Sequence, residues 1–223
     1  SSQMACSIGG NVAENSGGPH CLKYGMTASH ILALEVVTPK GEIIRLGNPA
    51  GEAVGMDLVG AIVGSEGTFV IVTEVTVRLL QKPEAVKTLL AAFHSIEECS
   101  QCVSDVIAAG IVPSALEFVD AETIRAVEAS VYKAGYPMGA VAALLIEIDG
   151  FIEGLEETSE SIVEICRRNC AYEVRVAKDD EERARLWLGR KGAFGAMGRI
   201  SPDMIVMDAV IPRTRLPEVL AEI

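Results

Sequence analysis

The sequence is short of positive charge, cysteine and histidine and has no long hydrophobic run, and each shortage excludes a class of function. Against 31 Asp and Glu stand 19 Lys and Arg, a net charge of −12 with a pI near 4.7, and no basic cluster occurs. Nucleic-acid affinity rests on neutralising phosphates with Lys and Arg, so a nucleic-acid partner is not expected. Attraction to an anionic membrane surface is disfavoured for the same reason. The longest apolar run, Ala140 to Ile146, is far short of the roughly 20 residues a membrane-spanning helix needs. Six cysteines in 223 residues are too sparse for a disulfide scaffold and suit a reducing cytoplasm. The histidines, His20, His30 and His94, are scattered without metal-ligand spacing, so neither a metal site nor iron–sulfur ligation is expected. No signal or transit peptide opens the chain, which begins Ser1-Ser2-Gln3.

What is present is core-forming material. At 49% hydrophobic and 22% charged, the chain is far from the composition of disorder and long enough to bury a sizeable core in one or two domains. Glycine is uneven: 12 of the 21 lie in residues 1–67, which reads as loops and tight turns rather than long helices. Within that part, Ile31 to Val37 is a strand candidate, Lys40-Gly41 a turn, and Glu42 to Leu46 the returning strand of a hairpin. Periodicity leaves Asp57 to Val63 open between helix and strand, whereas Phe69 to Leu80 alternates as a strand. Gln81-Lys82-Pro83 reads as a linker.

Beyond it, strands and helices alternate. Strands are expected over Val86 to Phe93, Ala115 to Val119, Val141 to Ile148 and Tyr172 to Val176. Helices are expected over Ser95 to Ala109, Ala121 to Lys133 and Ile152 to Asn169. Ser95 with Glu98 forms a capping-box pattern, and Asp120 can cap the second helix. The third helix carries Glu153, Glu156, Glu157 and Glu160 early and Arg167-Arg168 late, matching the helix dipole. This order is an α+β sandwich, most simply a ferredoxin-like one with an extra helix. A helix from Asp179 to about Met197, a strand over Met204 to Ile211 and a helix from Leu216 follow. The cut-off last helix leads us to expect a chain truncated at both ends.

The densest chemical signal is Ser7-Ile8-Gly9-Gly10-Asn11-Val12-Ala13-Glu14-Asn15-Ser16-Gly17-Gly18, closing with Lys23-Tyr24-Gly25-Met26-Thr27. Paired glycines let a backbone approach a ligand, and successive amides can form a nest for a pyrophosphate; surface turns are the plain alternative. No G-x-G-x-x-G follows a strand and no Gly-Lys-Ser/Thr of the Walker type occurs, so simple dinucleotide and nucleoside-triphosphate readings fail. A second element, Gly64-Ser65-Glu66-Gly67-Thr68, runs into a strand and alone reads as a turn. Cys99 and Cys102 form C-x-x-C, but both lie on the apolar stripe of a capped helix, where packing is the stronger reading. Cys166 and Cys170 sit four apart with no nearby histidine.

Taken together, GGNVAENSGGPHCLKYGMT, then LVGAIVGSEGT with IVTEVTVRLL, then GRKGAFGAMGRISPD with MDAVIP, closely resemble the FAD-binding subunits of bacterial glycolate oxidases. These are FAD-linked oxidases with a flavin domain of the vanillyl-alcohol-oxidase type. The resemblance covers essentially the whole chain. It implies that residues 1–82 are the second half of the FAD-binding domain and residues 84–223 most of an α+β substrate cap. It further implies hydride transfer from the carbon of a small 2-hydroxy acid, glycolate, to FAD.

By the same resemblance, Ile8, Gly9, Gly10, Asn15, Gly18, Tyr24 and Gly25 line the pyrophosphate and flavin side, while Glu66, Gly67 and Ile71 approach from the other wall. Relatives carry Leu-Gly where this chain has Phe69-Val70, a change expected to narrow the space beside the flavin. Arg190 falls where related 2-hydroxy-acid dehydrogenases grip the substrate carboxylate, and a guanidinium offers the planar fork that lysine lacks. The general base and the metal of the family are expected outside this chain. Partners implied are an iron–sulfur subunit and a further flavin subunit, in a cytoplasmic protein with peripheral attachment at the inner membrane through them. D-lactate or another 2-hydroxy acid is the nearest alternative substrate; a non-catalytic assembly domain is the alternative of another class. The chain alone is expected to be inactive and without FAD, with self-association through its apolar surface.

Overall fold

The computed structural model describes residues 5–50, 55–201, 203–206 and 209–222. The chain divides into two compact units, residues 1–82 and 83–223.

In the first unit, β1 (Ile31–Val37), β2 (Ile43–Gly47) and β3 (Ile71–Val77) form an antiparallel sheet in the order β2-β1-β3. Leu34 and Val36 of β1 point to one face, where they pack with Val12, Ile62 and Val63. On the central strand, Glu35 stands between Arg45 and Glu74 in register, and Arg45 bridges both carboxylates.

Two short helices supply the rest of this core. Helix α1 (Ile8–Glu14) starts where the Ser7 hydroxyl accepts the Gly10 N–H at 3.0 Å and ends at Asn15, whose left-handed backbone (φ 50°) closes the last turn. Thus the Gly9-Gly10 pair sits in the first turn of a helix, not in the open loop that its glycines suggest. A buried Val12 outweighs the poor helix propensity of two glycines. A four-residue helix, α2 (Cys21–Tyr24), follows. The ambiguous segment is helix α3 (Leu58–Ile62), because the Asp57 carboxylate caps it by accepting the Gly60 N–H at 2.8 Å.

The second unit is built on β4 (Ala85–Phe93), β5 (Ala115–Asp120), β6 (Ala142–Gly150) and β7 (Glu173–Val176), all antiparallel in the order β5-β6-β4-β7. With α4 (Ile96–Ala108) joining β4 to β5 and α6 (Leu155–Arg168) joining β6 to β7, this is the ferredoxin-like connection. The extra helix is α5 (Ala121–Glu128), between β5 and β6.

Both faces of this sheet are covered. Leu89, Ala91 and Phe93 of β4 with Leu144 and Ile146 of β6 pack against Cys99, Cys102 and Val106 of α4 and Ile162 and Cys166 of α6. The alternate residues Leu90, Ala92, Ala143 and Leu145 pack against α5, α7 (Asp180–Lys191) and α8 (Ala193–Met197). Burial on two faces is why β6 reads as an unbroken apolar run rather than an alternating one. The C-x-x-C is packing material, as its apolar stripe implies: Cys102 Sγ lies 3.6 Å from Cys166 Sγ, and burial pushes the Cys99 thiol well above its ordinary value.

Several boundaries depart from the sequence expectation, each for a local reason. Helix α5 stops at Glu128 instead of reaching Lys133, because the Glu128 carboxylate turns to accept the N–H groups of Ala134 and Tyr136 and so folds residues 129–136 into a loop. Helix α6 starts after Gly154, leaving Glu153 outside it. The capping box at α4 is half formed: Ser95 Oγ accepts the Glu98 N–H, but Glu98 Oε2 is buried without a hydrogen-bond partner. The helix expected over Asp179 to Met197 is two helices, divided at Gly192. Met204–Val206 and residues 209–211 form no strand; residues 207 and 208 lie outside the described residues. Apolar alternation makes a strand only where a neighbouring strand accepts its hydrogen bonds, and Ile205 stands 93% exposed, away from both sheets' strand orders among the described residues. The final helix, α9 (Leu216–Glu222), is present.

Candidate functional site

In the first unit, the two glycine-rich segments meet. The Gly64 N–H donates to Val12 O and the Glu66 N–H to Ala13 O, both at 2.9 Å, so the 64–67 turn is tied to the end of α1. Gly64 has φ +84°, and a Cβ there would lie 3.1 Å from the Asn15 Cβ. Asn15 in turn accepts the Ala28 N–H through Oδ1 at 2.9 Å, and Thr27 donates twice to Ser16 O. Two segments distant in sequence, residues 27–28 and 64–66, thereby converge on residues 12–16.

Within this frame the predicted cofactor residues separate into two groups. A Cβ added at Gly9, Gly18 or Gly67 would have no atom within 4 Å, so the backbone at all three presents itself to open space. Ile8 and Ile71 are exposed apolar side chains, at 58% and 69%. Gly10, Asn15 and Gly25, by contrast, serve the fold: the Gly10 amide is taken by Ser7, the Asn15 carbonyl oxygen by Ala28, and a Cβ at Gly25 would press on Ser29 Oγ at 2.7 Å. Tyr24 is half-buried, with the Lys23 ammonium over its ring; Glu66 is exposed on a left-handed backbone (φ 54°). The Gly18 amide is taken by Cys21 Sγ at 3.0 Å, so of these residues Gly9 and Gly67 offer open backbone of the kind that suits a pyrophosphate, and Ile8 and Ile71 apolar surface of the kind that suits a ring system. Of the histidines, His94 stacks on Tyr172 with ring centroids 4.3 Å apart.

In the second unit, Arg190 lies near the end of α7 and pairs with Glu117 of β5 at 2.5 Å. The Glu117 side chain is 14% exposed and that of Arg190 33%. Helix α7 begins at Asp179, whose carboxylate accepts the Glu182 N–H, and is held on the sheet by Leu186 and Trp187. Gly189 lets it seat closely, since a Cβ there would be 2.6 Å from the Ala134 Cβ and 3.1 Å from the Tyr136 hydroxyl. That hydroxyl donates to Leu186 O at 2.7 Å, and burial raises the phenol above its ordinary value.

Arg190 opens onto a groove of about 580 Å³ whose walls include Phe118, Thr123, Phe194 and Met197, with Met204–Val206 and Leu220 along one side. A planar cation rimmed by apolar side chains, with its charge partly satisfied by one carboxylate, can receive a small carboxylate ligand and shield it from water. Sequence reasoning singles out Arg190 but not Glu117 or Phe194, which the structure places beside it. Their positions follow from the register of β5 and the turn after Gly192, neither of which a local motif announces. Among the described residues no group of three His, Cys, Asp or Glu side chains could hold a metal ion, and no helix is long and apolar enough to cross a membrane.

Comparison with known proteins shows the family. Residues 82–223 match the family model of the FAD linked oxidases, C-terminal domain, and residues 1–47 that of an FAD binding domain. The chain is 51% identical to the glycolate oxidase subunit GlcD of Escherichia coli over 99% of its own length and 44% of that protein's. It is 44% identical to GlcD of Bacillus subtilis, covering 47% of it, and 32% identical to a D-lactate dehydrogenase of Anaerostipes hadrus, covering 46%. The chain therefore spans a little under half the length of these relatives.

Among solved structures, an alkyldihydroxyacetonephosphate synthase superposes with a TM-score of 0.75 at 20% identity, over 96% of this chain and 44% of that one. A p-cresol methylhydroxylase does so at 0.65 and 12%, over 84% and 44%. These two show the fold alone. The family models and the high identities make the further assignment: the chain belongs to the FAD-linked oxidases.

Proposed function

We propose that this chain is part of an enzyme that oxidises glycolate, a small 2-hydroxy acid, to glyoxylate. The observation that carries the reading is Arg190, paired with Glu117 at the mouth of an apolar groove, in a chain 51% identical to a glycolate oxidase subunit. When bound, FAD supplies the two-electron acceptor for the hydride leaving the substrate's C2 carbon. The cradle of Ile8, Gly9, Gly18, Gly67 and Ile71, with Tyr24 and Glu66 at its margins, is where this chain would hold part of the cofactor. Gly10, Asn15 and Gly25 shape that cradle from behind.

Arg190 takes the substrate carboxylate on its guanidinium fork, and Glu117 fixes the rotamer of Arg190 in advance, so little order has to be imposed on binding. Phe118 and Phe194 exclude water and strengthen the ion pair by lowering the local dielectric. In a protein of net charge −12, such a local cation is what overcomes repulsion of an anionic substrate. Among the described residues the groove has no histidine, and the group that takes the hydroxyl proton is not assigned to this chain. We also propose the partners of the family pattern, an iron–sulfur subunit and a further flavin subunit that carry electrons onward.

The test is anaerobic reduction of the FAD-loaded, full-length protein by glycolate and, in parallel, by D-lactate. Bleaching of the flavin by glycolate in preference to D-lactate supports the reading. The reverse preference assigns the D-lactate alternative, which the Anaerostipes relative makes the nearest one. A flavin reduced by neither leaves the chain as a binding or assembly domain.

A further inference from the structure

A second pocket in the second unit, on the half of α7 away from Arg190, is built from cations. It encloses about 330 Å³ between the 133–135 loop, β7 and α7, with Lys133, Arg175, Glu182 and Arg185 in its lining. Three cations from three elements face one carboxylate, in a chain that carries 12 more acidic than basic residues overall.

The walls are fixed from behind. Glu128 accepts the Ala134 and Tyr136 N–H groups at 3.0 and 2.8 Å, and Arg175 Nη2 donates to Gly135 O at 2.9 Å. Glu182 Oε2 accepts the Lys178 N–H at 3.1 Å, while Oε1 stands 3.5 Å from Arg175 Nε, outside hydrogen-bonding geometry. Arg175 Nε is thus buried against Glu182, held there as an ion pair rather than by a hydrogen bond. Lys133 and Arg185 are exposed at the pocket's rim, and among the described residues no carboxylate pairs with either.

We propose that this pocket binds inorganic phosphate. Lys133, Arg185 and the guanidinium of Arg175, all in the pocket lining, offer positive charge and donors to its oxygens, a set suited to a tetrahedral oxyanion. The buried Glu182 carboxylate, 13% exposed, sets the chemistry further. It repels an oxyanion without a proton and accepts a hydrogen bond from one that keeps a hydroxyl. Phosphate near neutral pH has that hydroxyl and sulfate does not. The inference is independent of the oxidation proposed above, since no residue of this pocket lines the Arg190 groove.

The experiment is calorimetric titration of the FAD-loaded, full-length protein at low ionic strength with inorganic phosphate, glycerol 3-phosphate and sulfate. Expected are saturable one-site binding of phosphate and at least about tenfold weaker binding of sulfate. Lys133→Gln and Arg185→Gln, both at exposed positions, should each weaken phosphate by about tenfold, the loss of one charge-assisted contact. Glu182→Gln should narrow the gap between phosphate and sulfate. Glycerol 3-phosphate, whose phosphate is largely without a proton near neutral pH, should bind as weakly as sulfate; tighter binding of it than of inorganic phosphate would overturn the proposal. No saturable binding, equal affinity for sulfate, or variants that bind like the native protein would overturn the proposal. Circular dichroism of each variant establishes that it is folded.

Discussion

The ring of Tyr132 lies directly against the backbone of Gly192, in the space that any side chain at that position would occupy, and it reaches on to Gly195. The glycines of the stretch from Gly189 to Gly195 are thus explained by packing: Gly189 makes room for Ala134 and Tyr136, Gly192 and Gly195 for Tyr132. Gly192→Ala is expected to destabilise the fold by about 1–3 kcal/mol, as overpacking does. Gly195→Ala, where a Cβ would meet the ring edge at 2.9 Å, should cost less. Combining Gly192→Ala with Tyr132→Ala should recover part of the loss. Denaturant unfolding of the single and double variants measures it, and simple additivity would show that the ring is not the obstacle.

The two classes of glycine in the first unit make opposite predictions. Gly18→Ala meets open space and should leave thermal stability within about 0.5 kcal/mol while weakening FAD binding to the full-length protein. Gly64→Ala, forced into a left-handed backbone and against Asn15, should lower stability by roughly 1–2 kcal/mol. Flavin fluorescence titration paired with a melting curve separates them. A Gly18→Ala variant that binds FAD normally would remove that residue from the cradle.

Arg190→Lys in the full-length enzyme should lower kcat/KM for the 2-hydroxy acid by roughly 2–4 kcal/mol in transition-state terms, with FAD content unchanged. Lysine keeps the charge but cannot hold Glu117 and a substrate carboxylate with one planar group. Steady-state kinetics settles it: an unchanged kcat/KM would leave Arg190 as a strut for β5.

How much of this could be read before the structure depends on whether the cause was local. The alternation of strands and helices in the second unit was legible because capping residues such as Asp120 and the apolar run of β6 act within a few residues of themselves. The splitting of the Asp179 to Met197 helix was not legible, since its cause, Tyr132, lies some sixty residues upstream. The same holds for Arg190: the residue was recognisable, its partner Glu117 was not. The residues around Gly9 illustrate the converse, a local signal for loops defeated by one buried valine.

Glu147 is a buried carboxylate in the middle of the sheet, and its Oε2 accepts from both Thr88 Oγ1 at 2.7 Å and Trp187 Nε1 at 2.5 Å. Removing it strands two donors, so Glu147→Ala is expected to cost about 2–4 kcal/mol. The chain has a single tryptophan, so its emission reports this site alone. A red shift with lowered Tm is the expected signature; unchanged emission would mean that the indole finds another acceptor.

Hydrogen bonds from Asn169 and then Gln101, with the Arg168 guanidinium nearby, hold the Asp105 carboxyl below its usual range. A carboxylate with a depressed folded value favours the native state above its unfolded value of about 3.9 and gives up that contribution as pH falls through the folded one. Asp105→Asn should therefore be less stable at neutral pH and lose less on acidification below about pH 4. Parallel acid titrations of the two proteins, followed by circular dichroism, test the sign.

The covering of β6 on both faces has a consequence for synthesis rather than for the finished fold. Its uncharged, proline-free stretch from Ala142 to Ile146 is the kind of segment that stacks into cross-β aggregates when left bare. On the ribosome, β4, α4, β5 and α5 are already made when β6 emerges, but α6 and α7, which close over it, are not. The nascent chain thus passes through an interval in which its stickiest strand is paired at its edges yet only half covered, by α4 on one face and α5 on the other, an interval in which aggregation competes with completion of the fold.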